Sequence, residues 1–248
     1  MKRSIEELEA VIAEKEKQIS DLKIEKGGFF RVVSHDLRSP ISRIIGFADL
    51  LKKDLEDNEE LRFFAENIEA AGWHLNKLIA RIMEVEEFES EERDLRIELQ
   101  DVVQFVRDKV AYFVQEYMEK EIEYSLKVSD PEIKALVDSE YWSLIVLNVL
   151  SNPGKFSPPG TAVHVALDAV PEGVRLVVTD EGPGFKEEEK HLIFKKFAKL
   201  SAKPTGGEIA AGLGLYQAHK CVRALGGEIS VVDNPPQGAK VTIIVPNA

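Results

Sequence analysis

Residues 30–51 read FRVVSHDLRSPISRIIGFADLL. Phe30, Val33, Leu37, Ile41, Ile44, Ala48 and Leu51 recur at alternating three- and four-residue steps, the spacing that lines side chains along one stripe of an α-helix. After a polar break at Asp54 to Glu60 a second stripe runs Leu61, Phe64, Ile68, Ala71, Leu75, Leu78, Ile82 and Val85. At about 1.5 Å per residue each helix is roughly 40 Å long. The short acidic connection predicts an antiparallel hairpin with one wet face. A hairpin buries two such stripes poorly on its own, so pairing with a second copy into a four-helix bundle is expected; packing on the chain's own second half is the rival.

Within the first stripe, His35 stands two residues from both Val33 and Leu37. At about 100° per residue this turns it away from the stripe and toward solvent. Asp36 places a carboxylate beside the imidazole, able to hold one ring nitrogen as N–H and leave the other as an unprotonated nucleophile. Ser39 lies one turn further on the same face, and Pro40 cannot donate to the Asp36 carbonyl, so a bend or loosening is expected there. An exposed histidine alone is usually inert, and a proline kink often only shapes a bundle.

Upstream, Ile5, Leu8, Ile12, Ile19 and Leu22 form a shorter heptad series interrupted by Lys15 and followed by Gly27-Gly28. Residues 1–27 therefore read as a coiled-coil lead-in that flexes at the glycines, with a solvated helical tail as the plainer alternative. The hairpin occupies 28–92, closing on the acidic run Glu84 to Glu92. From 93 to 248 the pattern becomes that of a compact α+β domain. Strands are expected at Leu95–Leu99, Ile122–Val128, Ala135–Val137, Ala162–Ala169, Val174–Thr179, Glu228–Val232 and Lys240–Val245. Helices are expected from an Asp101 cap to about Glu119, from Ser139 to about Asn152, and over Leu213–Leu225. Residues 198–212, rich in Pro, Thr, Gly, Ala and Lys, read as a mobile loop.

A second group of polar residues is spread over this domain. Asn148 and Asn152 share one helix face, with Lys155 and Phe156 at its end. Two amides can meet a hydrated magnesium ion or phosphate oxygens, Lys155 can neutralise phosphate, and Phe156 can pack on a base; taken alone, the amides are ordinary helix-surface residues. Asp180-Glu181-Gly182-Pro183-Gly184-Phe185 follows a strand, where a carboxylate can accept from an exocyclic amino group and the glycines let backbone approach a ligand. Gly212-Leu213-Gly214-Leu215 opens a helix whose free N–H groups favour phosphate. The chain has no GxxxxGK[ST] sequence, which excludes a P-loop.

Composition narrows the rest. The 248 residues carry 32 Lys plus Arg against 44 Asp plus Glu, a net charge of −12 that argues against nucleic-acid and anionic-lipid surfaces as partners. Cys221 is the lone cysteine and no Cys/His group has zinc-ligand spacing, so a reducing compartment, the cytoplasm, is expected. The longest apolar stretch, Leu144–Leu150, is too short to span a bilayer, and Met1-Lys2-Arg3 leads into charged heptads rather than a signal core, so any membrane sensor lies outside this chain.

Taken together, these residues resemble the sensor histidine kinases of two-component signalling. The segment His35 to Pro40 looks like the H box, Asn148 to Phe156 the N box, and Asp180 to Phe185 the first glycine box. Phe194 to Phe197 looks like the F box and Gly212 to Leu215 the last glycine box, in the family's order from Phe29 to Pro246. The resemblance implies an α+β multidomain protein: a coiled coil and a dimeric four-helix-bundle hairpin, then an α/β-sandwich ATP-binding domain of the GHKL type whose lid is residues 198–211. It implies ATP and Mg²⁺ as cofactors, and a homodimer that passes phosphate to the receiver domain of a response regulator. His35 would take the γ-phosphoryl group, Asp36 would act as base or orienting carboxylate, and Ser39 would stand where relatives position water for dephosphorylation. Asn152 would hold Mg²⁺, Asn148 would line the metal and phosphate site, Lys155 would meet phosphates, and Phe156 would pack on the base. Asp180 would read adenine, with Gly182, Gly184, Gly212, Gly214 and Leu215 shaping the pocket. An amide at Asn148, where gyrase-type relatives carry a water-activating Glu, fits transfer rather than hydrolysis.

The chain also departs from the family pattern. Asn152-Pro153-Gly154-Lys155 replaces Asn-Ala-x-Lys, which predicts either a distorted turn displacing Asn152 and Lys155 or a helix end where the cost vanishes. Glu181 adds negative charge near a polyanion, Ile209-Ala210-Ala211 offers the lid no hydroxyl, and Ser39 replaces the usual Thr or Asn. These departures carry the alternative of a degenerate kinase, an ATP-independent docking module for a regulator or partner kinase.

Overall fold

The computed structural model describes residues 5–55, 58–90, 94–208 and 210–246. Ile209 and the side chains of Ile5, Leu8 and Ile19, three of the expected coiled-coil positions, fall outside the described residues. The chain divides into two compact units, 1–93 and 94–248.

The first unit is a pair of helices, α1 (Ile5–Asp54) and α2 (Glu59–Ser90). The expected flex at Gly27-Gly28 is not found: both glycines, and Pro40, lie inside one continuous 50-residue helix. Each glycine costs about 1 kcal/mol relative to alanine, and a break would require the next helix to nucleate anew. Asn58 caps α2, its Oδ1 accepting the Leu61 N–H at 3.1 Å. Lys52 Nζ ties the helices together through Glu69 Oε2, 2.6 Å away.

The buried seam between α1 and α2 agrees with the expected stripes in part. Ile41, Ile45 and Ala48 are buried with Ala65 and Ile79, and a Cβ on Gly72 would stand 2.5 Å from Ile45 Cγ1, so the helices touch where a glycine permits it. Leu37, Ile44, Leu51, Leu61, Phe64, Ile68 and Leu75, all members of the expected stripes, are each between 45% and 52% exposed. Ile41, Ala48 and Val85 of the expected stripes are buried, while Ile45, Ala65 and Ile79, each one position along from a stripe residue, complete the buried set, which leaves the remaining large stripe residues facing outward about 100° around each helix.

The second unit runs β1 (Glu98–Asp101), α3 (Val102–Glu116), β2 (Glu123–Val128), β3 (Lys134–Val137), α4 (Ser139–Phe156), β4 (Ala162–Val170), β5 (Gly173–Thr179), α5 (Gly214–Ala224), β6 (Glu228–Asp233) and β7 (Ala239–Val245). The first strand starts at Glu98, later than expected. The Asp101 cap is present, its side chain accepting from the Gln104 N–H at 3.0 Å. The main sheet is mixed, in the order β2-β4-β5-β7-β6, with β2 and β4 parallel and the other pairs antiparallel; β1 and β3 form a separate antiparallel pair.

Alternation sets which sheet face is dry. Val163, Val165 and Leu167 of β4, Leu176 and Val178 of β5, and Val241, Ile243 and Val245 of β7 are buried. The helices α3, α4 and α5 lie side by side in that order, α3 against β2 and α5 against β6 and β7. Their apolar faces include Val106, Val110, Ile145, Val149, Ala218 and Val222. The result is a two-layer α/β sandwich.

Candidate nucleotide site and phosphoacceptor histidine

On α1, the His35 side chain is 84% exposed, as its angular position predicts. Its Nδ1 lies 3.2 Å from Asp36 Oδ1. A proton on Nδ1 donated to that carboxylate leaves Nε2 with its lone pair toward solvent. Ser39 is exposed one turn on.

The α4 helix is started by Asp138, whose Oδ1 accepts the N–H groups of Glu140 and Tyr141 while its Oδ2 accepts that of Arg96 at 2.9 Å. Of the two outcomes left open at Pro153-Gly154, a distorted turn or a helix ending there, the structure shows neither: α4 runs through both residues to Phe156, which puts them in its last turn, and the Ser157 N–H closes on the Pro153 carbonyl at 2.8 Å. The carbonyls of this last stretch receive side-chain donors. Tyr124 Oη donates to Leu150 O at 2.8 Å, Tyr117 Oη to Ser151 O at 3.4 Å, and Lys120 Nζ to Gly154 O at 2.6 Å. Burial, aided by nearby negative charge, pushes the Tyr117 hydroxyl well above its ordinary value, so it stays a donor at neutral pH.

Asn148 is buried in α4, and its Nδ2 donates to Leu144 O at 2.8 Å and to Gln217 Oε1 of α5 at 3.1 Å. A Cβ on Gly214, the first residue of α5, would meet Asn148 Oδ1 at 3.1 Å and Asn152 Oδ1 at 3.7 Å. Two amide oxygens and the start of a helix thus come together where the expected metal and phosphate residues belong. Lys155 Nζ is held 3.3 Å from Ser151 Oγ, half-buried at the end of the same helix.

Asp180 ends β5. Its backbone N–H donates to Ala239 O at 2.9 Å, and its carbonyl accepts from Asn234 Nδ2 at 2.9 Å. Its Oδ1 accepts the N–H groups of Gly182 at 2.9 Å and Ala239 at 3.0 Å. Burial raises the carboxyl above its ordinary value, and these two N–H groups oppose the rise. Glycine is required around it: a Cβ on Gly182 would stand 3.0 Å from Asp180 Oδ1 and 3.2 Å from Ser157 Oγ, and one on Gly184, at φ +68°, would stand 2.9 Å from Gly238 O. Ser157 is fully buried, and its hydroxyl has no hydrogen-bond partner among the described residues. Glu181 turns elsewhere, accepting the Ala162 N–H at 3.0 Å.

The described residues of loop 198–212 lack regular structure, as expected, but the loop is anchored. Thr205 donates its N–H to Lys155 O at 2.9 Å and its hydroxyl to Ser157 O at 2.8 Å. Lys120 Nζ pairs with Glu208 Oε1 at 2.8 Å, both largely shielded from solvent. Burial alone would raise the Glu208 carboxyl; the Lys120 hydrogen bond and the backbone N–H groups of Glu208 and Gly206 outweigh it and hold it below its ordinary value. At the loop's ends, a Cβ on Gly212 (φ +66°) would stand 2.4 Å from Ala198 O.

These residues fit a nucleotide. An orphaned buried hydroxyl beside a buried carboxylate suits a base, and the paired amide oxygens suit a hard cation bridged to phosphates. No group of three or more His, Cys, Asp or Glu converges among the described residues; the protein oxygens offered to a cation here are those of Asn148 and Asn152. The sequence reading missed Tyr117, Lys120, Ser157, Thr205, Glu208 and Gln217. Of these only Gln217 left a signal, a polar residue on the apolar face that Leu213, Ala218, Cys221 and Val222 define in and before α5.

A helical hairpin with an exposed histidine, joined to an α/β sandwich with this site, defines a phosphoacceptor domain followed by a GHKL-type ATPase domain. Residues 25–91 match the His Kinase A (phospho-acceptor) domain family, and residues 137–248 match the histidine kinase-, DNA gyrase B- and HSP90-like ATPase family. The mycobacterial sensor histidine kinase MprB structure is 30% identical, covering 60% of this chain and 97% of that one, at a TM-score of 0.54. Full-length ShkA in complex with AMPPNP is 27% identical over 89% of this chain and 46% of that one, at a TM-score of 0.70. Hybrid signal transduction histidine kinase D of Dictyostelium discoideum is 28% identical over 94% of this chain. The chain belongs to the sensor histidine kinases of two-component signalling. It spans only 15% of the length of the Dictyostelium relative. Among the described residues no helix is long and apolar enough to cross a membrane.

Proposed function

We propose that this chain is the cytoplasmic transmitter of a two-component histidine kinase, phosphorylating His35 from Mg-ATP and passing the phosphoryl group to an aspartate on a response regulator's receiver domain. The observation that carries the reading is the exposed His35 with Nδ1 turned to Asp36. Nε2 attacks the γ-phosphorus, the bond from that phosphorus to the β,γ-bridging oxygen breaks, and ADP leaves; the Nδ1 proton is held or taken by Asp36. Asn148, Asn152 and Lys155 orient the phosphates, and Asp180 accepts from the adenine amino group. Asn152, with Asn148 beside it, would hold Mg²⁺ from the protein side, and the ion would supply neutralisation of phosphate charge. Asn148 offers no carboxylate to activate water, which favours transfer over hydrolysis.

The same reading makes the molecule a homodimer. The outward stripes Leu37, Ile44, Leu51, Leu61, Phe64, Ile68 and Leu75 form an apolar face that a second hairpin would cover as a four-helix bundle, and the first part of α1 would continue it as a coiled coil. Domain limits of 1–27, 28–92 and 93–248 follow. That α4 stays helical to Phe156 supports this reading over an ATP-independent docking module. Asp36→Asn should slow phosphorylation of His35 by roughly 10²–10⁴ if Asp36 handles the proton; unchanged kinetics would reduce Asp36 to a bystander.

A further inference from the structure

Asn148 and Gln217 are a buried amide pair, each 1% exposed, that bridges α4 and α5. An amide nitrogen donates and its oxygen accepts, so the two acceptors around Asn148 Nδ2, Leu144 O in its own helix and Gln217 Oε1 across the interface, admit one orientation of the group. That orientation turns Oδ1 to the first residue of α5, beside Asn152 Oδ1. Flipped, the group would present N–H donors to the place where a cation between phosphates needs oxygen. The Leu144 carbonyl is a local partner and moves with α4; Gln217 is a partner from the helix that follows the lid loop.

We propose that Gln217 is a positioning residue for the metal and phosphate end of the nucleotide site, acting through Asn148 by fixing the direction of its amide. This rests on the kinase reading and adds to it a residue that touches neither nucleotide nor metal. It also ties the helix after the lid to the ligand-bearing face of α4, so the two helices present their halves of the site in one register.

Calorimetric titration of the full chain with ADP, in EDTA and in Mg²⁺, tests it without reference to phosphoryl transfer. The proteins are the parent, Gln217→Met, which keeps length and burial but removes the acceptor, and Gln217→Glu, which restores an acceptor oxygen. In Gln217→Met, affinity in EDTA should stay near the parent's while the gain conferred by Mg²⁺ falls by roughly 10-fold, the usual effect of losing a partner that orients a ligand. In a Gln217→Glu protein that unfolds in one cooperative transition, the gain should return at least in part. An undiminished Mg²⁺ gain in Gln217→Met overturns the proposal. So does an equal loss with and without Mg²⁺, which marks general loosening, and so does a cooperatively folding Gln217→Glu that restores nothing. A parent that binds no nucleotide under either condition overturns the kinase reading first, and is thereby told apart from failure of the Gln217 proposal.

Discussion

Tyr117 lies across the α-carbon of Gly154: a Cβ on that glycine would stand 2.0 Å from Tyr117 Cε2. The ring itself is held, buried and stacked on Phe113 at 6.0 Å and Tyr124 at 6.4 Å between centroids. Gly154 is therefore a clearance for an aromatic stack, in a helix that tolerates it.

Gly154→Ala should consequently destabilise the second unit, by about 1–3 kcal/mol for overpacking, although alanine is the better helix former by about 1 kcal/mol. Tyr117→Leu in the same chain should recover part of the loss. Urea unfolding reads both, and a Gly154→Ala protein as stable as the parent would show that the ring yields freely.

Loop 198–212 should loosen when its ion pair is removed. Lys120→Met or Glu208→Gln is expected to speed hydrogen exchange at the Thr205 amide roughly tenfold, the worth of one charge-assisted hydrogen bond. The pH dependence has a definite sign. Because the Glu208 carboxyl is held below its ordinary 4.5, its contribution is fully present above that value and is lost as pH falls through the lower folded-state value. Exchange, corrected for intrinsic rates, should show protection falling away only below the ordinary glutamate range. Protection already lost near neutrality would assign the anchoring to another group.

Nucleotide affinity should have the opposite displacement. Burial raises Asp180 above its ordinary 3.8, so protonation sets in at higher pH than for an exposed aspartate, and acceptance from an amino group weakens there. Titrations with ADP at descending pH should lose affinity at a higher pH than an ordinary aspartate would dictate, and Asp180→Ala should flatten that profile while lowering affinity throughout. An Asp180→Ala protein with the parent's affinity would remove this residue from base recognition.

Much of this was legible in the chain. The β4 strand shows because Val163, Val165 and Leu167 alternate with His164 and Ala166, the pattern one buried sheet face imposes, and β5 shows as a run of β-branched and apolar residues, Val174 to Thr179, broken by Arg175. His35, Asn152 and Asp180 show because each sits in a short local pattern. The helix seam was placed rightly at Ile41 and Ala48 and wrongly at Ile44, because Ile44 and Ile45 are both apolar and adjacent, and periodicity does not say which of the two is buried. The Lys120–Glu208 pair, 88 positions apart, has no local spacing to betray it.

Association can be probed where the outward stripe is open. Leu75 is 46% exposed in the single chain, so Leu75→Glu should leave the hairpin folded. In a four-helix bundle the same charge would be buried unpaired at a cost of about 3–5 kcal/mol. Light scattering at micromolar concentration should give a dimer for the parent and a monomer for the variant. A monomeric parent would mean that the stripes are covered in some other way.

Incubation with γ-labelled ATP tests the central claim most directly. Phosphate on an imidazole nitrogen is a phosphoramidate, so the label should be lost in acid, survive base, and be absent from His35→Gln. Label that resists acid, or that persists in His35→Gln, would contradict the assignment of His35 as the phosphoacceptor.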